Sequence, residues 1–364
     1  WKTSRHIVVI ESDDWGSVRM PDRETFERLL KAGIRVDMSH YNKYDTLASN
    51  DDFNNLFEVL VKYKDKNGNN PVITANTIVA NPDFAKIKEN RFERYFYEPF
   101  TETLKRYEKR SFDYWEEGFN KKLFFPQLHG REHLNVERWM RYLQKPSKEV
   151  HFAFENGLYG IGPKISLENN PSFVQAFDSN IYLEDQSPEI ILNDAARIFR
   201  DVFGYTSKSF ISPNYCWDSK IERITSDMGV EFLQGMTMQK TINGFKFNYL
   251  GKINPCRQYY LIRNINFEPS SDEHKDWVGE TLSGIDKTFK LKKPAVISMH
   301  RVNFIGSIFE SNRKRSLNLL DNLFSEITKR WVDVEFMHSV DLGDLIKNDL
   351  SSSTNIAYEN SYTS

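Results

Sequence analysis

Apolar positions along the chain fall into two rhythms. Short runs rich in β-branched and aromatic residues read as buried strands: HIVVIES (6–12), the start of PVITANTIVANP (71–82), KLFFPQL (122–128) and KSFISPNY (208–215). VEFLQG (230–235), QYYLIRNINF (258–267), PAVISMH (294–300) and VDVEFMH (332–338) continue the series. Between them, apolar residues at helical spacing predict helices over ETFERLLKAG (24–33), DDFNNLFEVLVKYKD (51–65), the aromatic and charged stretch 90–120, and LNVERWMRYLQ (134–144). SPEIILNDAARIFRDVFG (187–204) has a Ser-Pro-Glu start and a glycine stop. SKIERITSDMG (219–229), the segment around GETLSGIDKTFKL (279–291) and RSLNLLDNLFSEITKRW (315–331) complete the helices.

The order strand, polar loop, helix repeats without a break in composition. That predicts a mostly parallel sheet wrapped by helices, either a barrel or an open doubly wound sheet, in one domain over residues 1–348. The polar residues 349–364 are expected to form a frayed tail. Polar residues collect just after the strands, in DDWGS, TANT, HGREH, SPNYCWD, NFEPS and HRVNF. In a barrel these ends share one mouth, so residues distant in sequence converge there.

Composition narrows the function. A net charge of −2 and a pI near 6.5 give no reason to expect nucleic acid or an anionic membrane as partner. No apolar run reaches membrane-span length. Cys216 and Cys256 are the only cysteines and form no C-x-x-C, which excludes a thiolate zinc site and a disulfide scaffold. The sequence opens on Trp1, so the compartment is left open between cytoplasmic and, with a removed signal segment, periplasmic or extracellular. Nothing in the pattern sets an oligomeric state.

The chemistry-bearing residues sit at the strand ends. In FFPQLHGREHLNVER (124–138), His129 and His133 are four apart. H-x-x-E-H is also a zinc-peptidase pattern with Glu132 as base, but that site needs one long helix, which Pro126 and Gly130 oppose. Asp13 and Asp14 follow the first strand, where a solvated turn with an Asp helix cap is the plain alternative. His300 ends another strand. Asp14, His129 and His133 together make a two-histidine, one-carboxylate set suited to Zn²⁺, leaving Asp13 and His300 as an acid–base pair. Glu132 is then expected to point outward or to back up the site.

This order of residues resembles the polysaccharide deacetylases, the carbohydrate esterases with a NodB-homology domain. ESDDWG is similar to their T-F-D-D-G, HGREH to H-S-x-x-H, SPNYCWD to R-x-P-Y, and SMHR to L-H-D; VEFMHSVDLGDLI resembles the closing strand and helix. Over roughly residues 5–348 the resemblance implies a distorted (β/α)7 barrel of the glycoside hydrolase/deacetylase type. It implies a metal-dependent hydrolase removing N- or O-acetyl groups from a carbohydrate, with Zn²⁺ (or Co²⁺, Ni²⁺ or Mn²⁺) on Asp14, His129 and His133. Asp13 would be the base, His300 the acid, and the backbone N–H at Tyr215, or at Asn214 beside it, the oxyanion donor. Trp15, Trp217 and Trp277 are candidates to line a sugar subsite; Arg19, Arg131, Asn214, Glu268, Asp276 and Arg301 are further candidates to bind substrate.

The sequence departs from the family pattern in three places. Ile211 or Ser212 stands where the third motif has arginine, and Arg19, Arg263 and Arg301 are candidates to stand in, between which the sequence does not choose. Arg301 stands where an aspartate would follow the catalytic histidine, leaving Asp276 with Trp277, or Glu268, as its partner. Trp15 separates the aspartates from the glycine. A second reading keeps the barrel as a glycan-binding protein without this activity; a third has it cleaving another C–N or a glycosidic bond.

Overall fold

The computed structural model describes residues 1–364 except 108–109, 179–180 and 362–364, and except the side chains of 353–361. Its centre is a parallel sheet of nine strands: β1 (Ile7–Trp15), β2 (Ile73–Ile78), β3 (Phe124–Gly130), β4 (Ser209–Ile211), β5 (Phe232–Gly235), β6 (Tyr259–Ile262), β7 (Ile265–Asn266), β8 (Ala295–His300) and β9 (Glu335–Met337). Their order is β6-β5-β4-β3-β2-β1-β8-β7, with β9 pairing against residues Ile7–Val9 of β1. Sheets of this kind are covered on both faces, which is why their strands read as apolar runs rather than alternating ones. All nine residues of β1 are buried.

The two ends of that order meet. β6 pairs with β5, β7 pairs with β8, and only Arg263 and Asn264 separate β6 from β7. The Arg263 N–H still donates to Gly235 O at 2.8 Å, while the Asn264 N–H already donates to Val296 O at 3.1 Å. One extended stretch therefore changes partner in the middle and completes a ring of seven strands, the distorted (β/α)7 barrel the sequence led us to expect. Outward residues Val8, Ile10, Ala295 and Ile297 pack with Leu56, Leu320 and Phe324 of the helices Asn50–Leu60 and Glu310–Arg330. A separate apolar cluster around Phe26, Trp139, Phe154 and Tyr159 holds the inserted loops and short helices together.

Several elements differ from the sequence reading. Residues 90–120 are not continuously helical: Tyr97–Pro99 pairs antiparallel with Ala80–Pro82, and helices Phe100–Arg106 and Phe112–Asn120 follow. A hairpin, Met238–Thr241 with Gly244–Phe247, interrupts the strand–helix rhythm after β5. The last helix runs Ser339–Ser361, into the stretch read as a tail. Cys216 and Cys256 are both free thiols. Among the described residues no helix is long and apolar enough to cross a membrane.

Candidate metal centre and catalytic site

In a regular strand, Asp13 and Asp14 would point to opposite faces. The pairing of β1 with β2 slips between Ser12 and Trp15, a bulge, and Asp14 sits there at φ 73°. Bulges re-aim side chains, and aspartate tolerates the left-handed region better than most residues. A second slip lies between β2 and β3, where Thr77 pairs with Leu128 and Ile78 with Gly130, so that His129 is the extra residue. Gly130 follows at φ 130°, a conformation that side chains disfavour, and the chain then turns through His133 before the helix Val136–Leu143. Two bulges thus deliver the ligands to one place.

There Asp14 Oδ1 lies 3.6 Å from His129 Nε2 and 3.6 Å from His133 Nε2, and all three residues are buried. These distances are too long for hydrogen bonds. They match the edge of a tetrahedron about 3.4 Å long expected around Zn²⁺ with ligands at about 2.1 Å. Two further observations fit a cation. Asp14 Oδ1 is a buried carboxylate oxygen with no hydrogen-bond partner among the described residues, a costly arrangement without a ligand. His129 Nδ1 lies 2.9 Å from Ile211 O, so its N–H donates there and Nε2 keeps its lone pair for a metal. Burial, with Arg19 nearby, holds His133 well below the usual histidine range and hence neutral. Arg19 Nη2 donates to the other Asp14 oxygen at 2.9 Å.

Asp13 pairs in register with His300 across β1 and β8. Its carboxylate accepts two bonds from Arg263, Nη1 to Oδ2 at 2.7 Å and Nη2 to Oδ1 at 2.6 Å, and one from Asn76 Nδ2 at 2.8 Å. Burial alone would raise its pKa, but the Arg263 guanidinium outweighs burial and holds it below the carboxylate range. Arg263 also donates to Glu11 at 2.5 Å, to the Tyr215 hydroxyl at 3.0 Å and to Ser298 Oγ at 3.2 Å. Of the three arginines considered from sequence, Arg263 is the one on Asp13. Arg19 is on Asp14, and Arg301 is fully buried on Asp45 with two bonds of 3.0 Å.

His300 Nε2 lies 3.8 Å from Asp13 Oδ2, and His300 Nδ1 lies 2.6 Å from Glu268 Oε2, whose other oxygen accepts from Asn303 Nδ2 at 2.6 Å. Burial by itself would lower the imidazole pKa. The Glu268 carboxylate, its hydrogen bond and Asp13 outweigh burial and push it up to about 9. Of the two partners considered for His300, Glu268 is therefore in place, whereas Asp276 accepts from Gly279 N at 2.9 Å and caps the helix Trp277–Lys290.

No protein-family model matches the chain, and no curated protein matches it. Among solved structures it is similar to a candidate polysaccharide deacetylase of Mycobacterium smegmatis, at 9% identity and TM-score 0.47 over 96% of this chain and 93% of that one. It is also similar to PuuE allantoinase, at 10% identity and TM-score 0.48 over 94% and 91%. A third is the family 4 carbohydrate esterase of Streptomyces lividans in complex with acetate, at 9% identity and TM-score 0.38 over 93% and 95%. At such scores the functional reading rests on the chain's own side chains.

Those side chains correct several expectations. Trp15 faces the core: it is 1% exposed, packs on Phe53, Trp115, Phe124 and Phe304, and donates its indole N–H to Ser12 Oγ at 2.9 Å. Trp217 is buried against Gly235, and Trp277 is buried with its N–H on Asp272 O. Arg131 is held by Glu132, Asp194 and Gln186 and lies over the Tyr97 ring. Glu132 does not point outward; it is buried on Arg131 and stands outside the group of converging ligands. The Tyr215 N–H is already donated to Ser212 O at 3.0 Å, although its hydroxyl reaches Arg263; Asn214, at φ 56°, is exposed.

Sequence reasoning missed Tyr41, whose hydroxyl is 3.2 Å from His300 Nε2 and 3.3 Å from Nδ1. Near-equal distances to both ring nitrogens put it over the imidazole face. Asn76, Glu11 and Ser298 were missed too. The first lies in TANT, which reads as a polar loop but lies within β2, and the other two look like ordinary interior strand positions.

Proposed function

We propose that the chain is a metal-dependent hydrolase that removes acetyl groups from a carbohydrate. The observation that carries the reading is the convergence of Asp14, His129 and His133 beside a buried Asp13 and a His300 that bears a carboxylate on its far nitrogen. Asp14, His129 and His133 would hold the metal, Zn²⁺ being the best match to this donor set. When bound there, a divalent metal supplies a Lewis acid that polarises the acetyl carbonyl and makes water more acidic.

The chain's own groups supply the proton transfers. Asp13, ionised through Arg263 and held in place by Asn76, accepts the proton of the attacking water. His300, protonated through Glu268, gives a proton to the departing sugar nitrogen or oxygen. The Tyr215 N–H is committed to Ser212 O, so the Tyr41 hydroxyl above His300 is the better placed donor toward a developing oxyanion. The peptidase alternative loses its base, because Glu132 is paired with Arg131.

The test is acetate release from N-acetylated chitin oligomers and from O-acetylated xylan, with added Zn²⁺ and after chelation. The reading requires release from at least one that disappears on chelation and in Asp13→Asn. No release from either by the zinc-loaded protein would count against it, in favour of a glycan-binding barrel.

A further inference from the structure

Beside the catalytic side chains opens a cleft of about 430 Å³. It shares Arg19 and Tyr41 with them, and these touch Asp14 and His300. Its walls are the segment Met38–Asn42, the segment Gly160–Ile165 and parts of 172–174, tied together by Asn42 Nδ2 on Gly160 O at 3.3 Å. Both segments are insertions that the barrel itself does not need. The second lies in the long stretch between the helices Lys148–Glu155 and Pro188–Phe203, and loops of that length in a compact domain usually carry a function.

No aspartate or glutamate lines this cleft, and its cations are Lys164 and Arg19, the latter paired with Asp14. Burial, with His300, Lys164 and Arg19 nearby, pushes His40 down to about 4, so it lines the cleft as a neutral imidazole. Lys164 is exposed and makes no ion pair among the described residues. Arg19 is 8% exposed and its Nε, a buried donor, has no hydrogen-bond partner. His40 Nε2 is likewise buried without a partner, and the His40 ring leans on Tyr41 at 4.0 Å. Buried polar atoms are rarely left unpaired, so two at one cleft point to a ligand that supplies acceptors. The aromatic pair and the apolar wall of Ile161, Ile165 and Val174 offer flat surface for the C–H face of a ring.

We infer that this cleft binds an acidic saccharide unit, with its carboxylate, phosphate or sulfate between Lys164 and His40 and its ring against Tyr41, next to the unit whose acetyl group is removed. The inference rests on the carbohydrate reading of the adjacent centre, but its test needs no turnover. Binding of glucuronate, glucose 6-phosphate, glucose and inorganic phosphate to the full chain is measured by ligand-observed NMR or calorimetry, in wild type, Lys164→Glu and His40→Ala. At least one of the acidic sugars is expected to bind about tenfold tighter than glucose, and Lys164→Glu, a surface change, to remove most of that difference. His40→Ala is expected to lower affinity for the acidic sugar and leave glucose unchanged. Which acidic sugar wins identifies the anionic group. Equal affinities for the acidic sugars and glucose, or no effect of Lys164→Glu, would overturn the inference. Inorganic phosphate binding as tightly as glucose 6-phosphate would also overturn it, leaving a bare anion site. Acetate release from neutral chitin oligomers together with no binding of acidic sugars would sink this inference alone, and the converse result would sink only the catalytic reading.

Discussion

Replacing Arg263 by methionine removes the one cation between two buried carboxylates. Arg263 is 1% exposed and makes bonds of 2.5–2.7 Å to Glu11 and Asp13, both of which are buried. Methionine fills a similar volume but leaves Glu11 without its cation and Asp13 with only the His300 imidazolium 3.8 Å away. Removing one partner of a buried pair typically costs about 3–5 kcal/mol, against a total stability of about 5–15 kcal/mol for a domain. Urea unfolding at pH 7 should therefore show a loss of at least about 3 kcal/mol. The sign of the pH dependence is fixed as well. In the wild type the Asp13 pKa is depressed, so its contribution is present above the ordinary carboxylate range and is lost as pH falls through the depressed value. In the variant, burial without Arg263 favours the neutral acid, so the gap between variant and wild type should narrow from pH 7 toward pH 4. Asp13→Asn combined with Arg263→Met should cost less than the sum of the single changes. A loss below about 1 kcal/mol that is the same at both pH values would refute the argument that Arg263 compensates these carboxylates.

Other consequences follow from single groups. Because His300 is pushed up to about 9, acetate release should fall as pH rises through that value, and Glu268→Gln should move the fall downward. The same shift stabilises the fold fully below about 6.5, the unfolded value, and that stability is lost as pH rises through about 9. Gly130→Ala meets no atom closer than 3.8 Å but must adopt φ 130°, so it should cost about 1 kcal/mol or more from backbone strain and weaken metal retention through His129. Glu132→Gln should lower the melting temperature by breaking the buried pair with Arg131, while turnover per folded molecule stays near wild type; loss of turnover with an unchanged melting temperature would revive a catalytic Glu132.

How far the sequence carries is clear from particular residues. The buried strands were legible because both faces of a parallel sheet are covered, and the strand-end position of Asp13, Asp14, His129 and His300 followed from their order alone. The bulges that aim Asp14 and His129 inward left no trace in the apolar pattern, since a slip of register changes pairing and not residue type. Arg263 could not be chosen over Arg19 and Arg301, because its role depends on where β6 hands over to β7. Trp15 reads as a mouth residue after two aspartates, yet the same bulge that brings them in turns its ring out to the aromatic core. The hairpin at 238–247 turns through Ile242 and Asn243, and its exposed flanks Phe245 and Phe247 do not mark a buried face.

The central claim is that Asp14, His129 and His133 hold one divalent metal. Zinc content per chain, measured by elemental analysis after chelation, reloading and dialysis, tests it in wild type, Asp14→Asn and His129→Ala. The account predicts about one zinc per chain in the wild type and close to none in either variant, with all three proteins folded by circular dichroism. Equal zinc in all three, or none in the folded wild type, would contradict it.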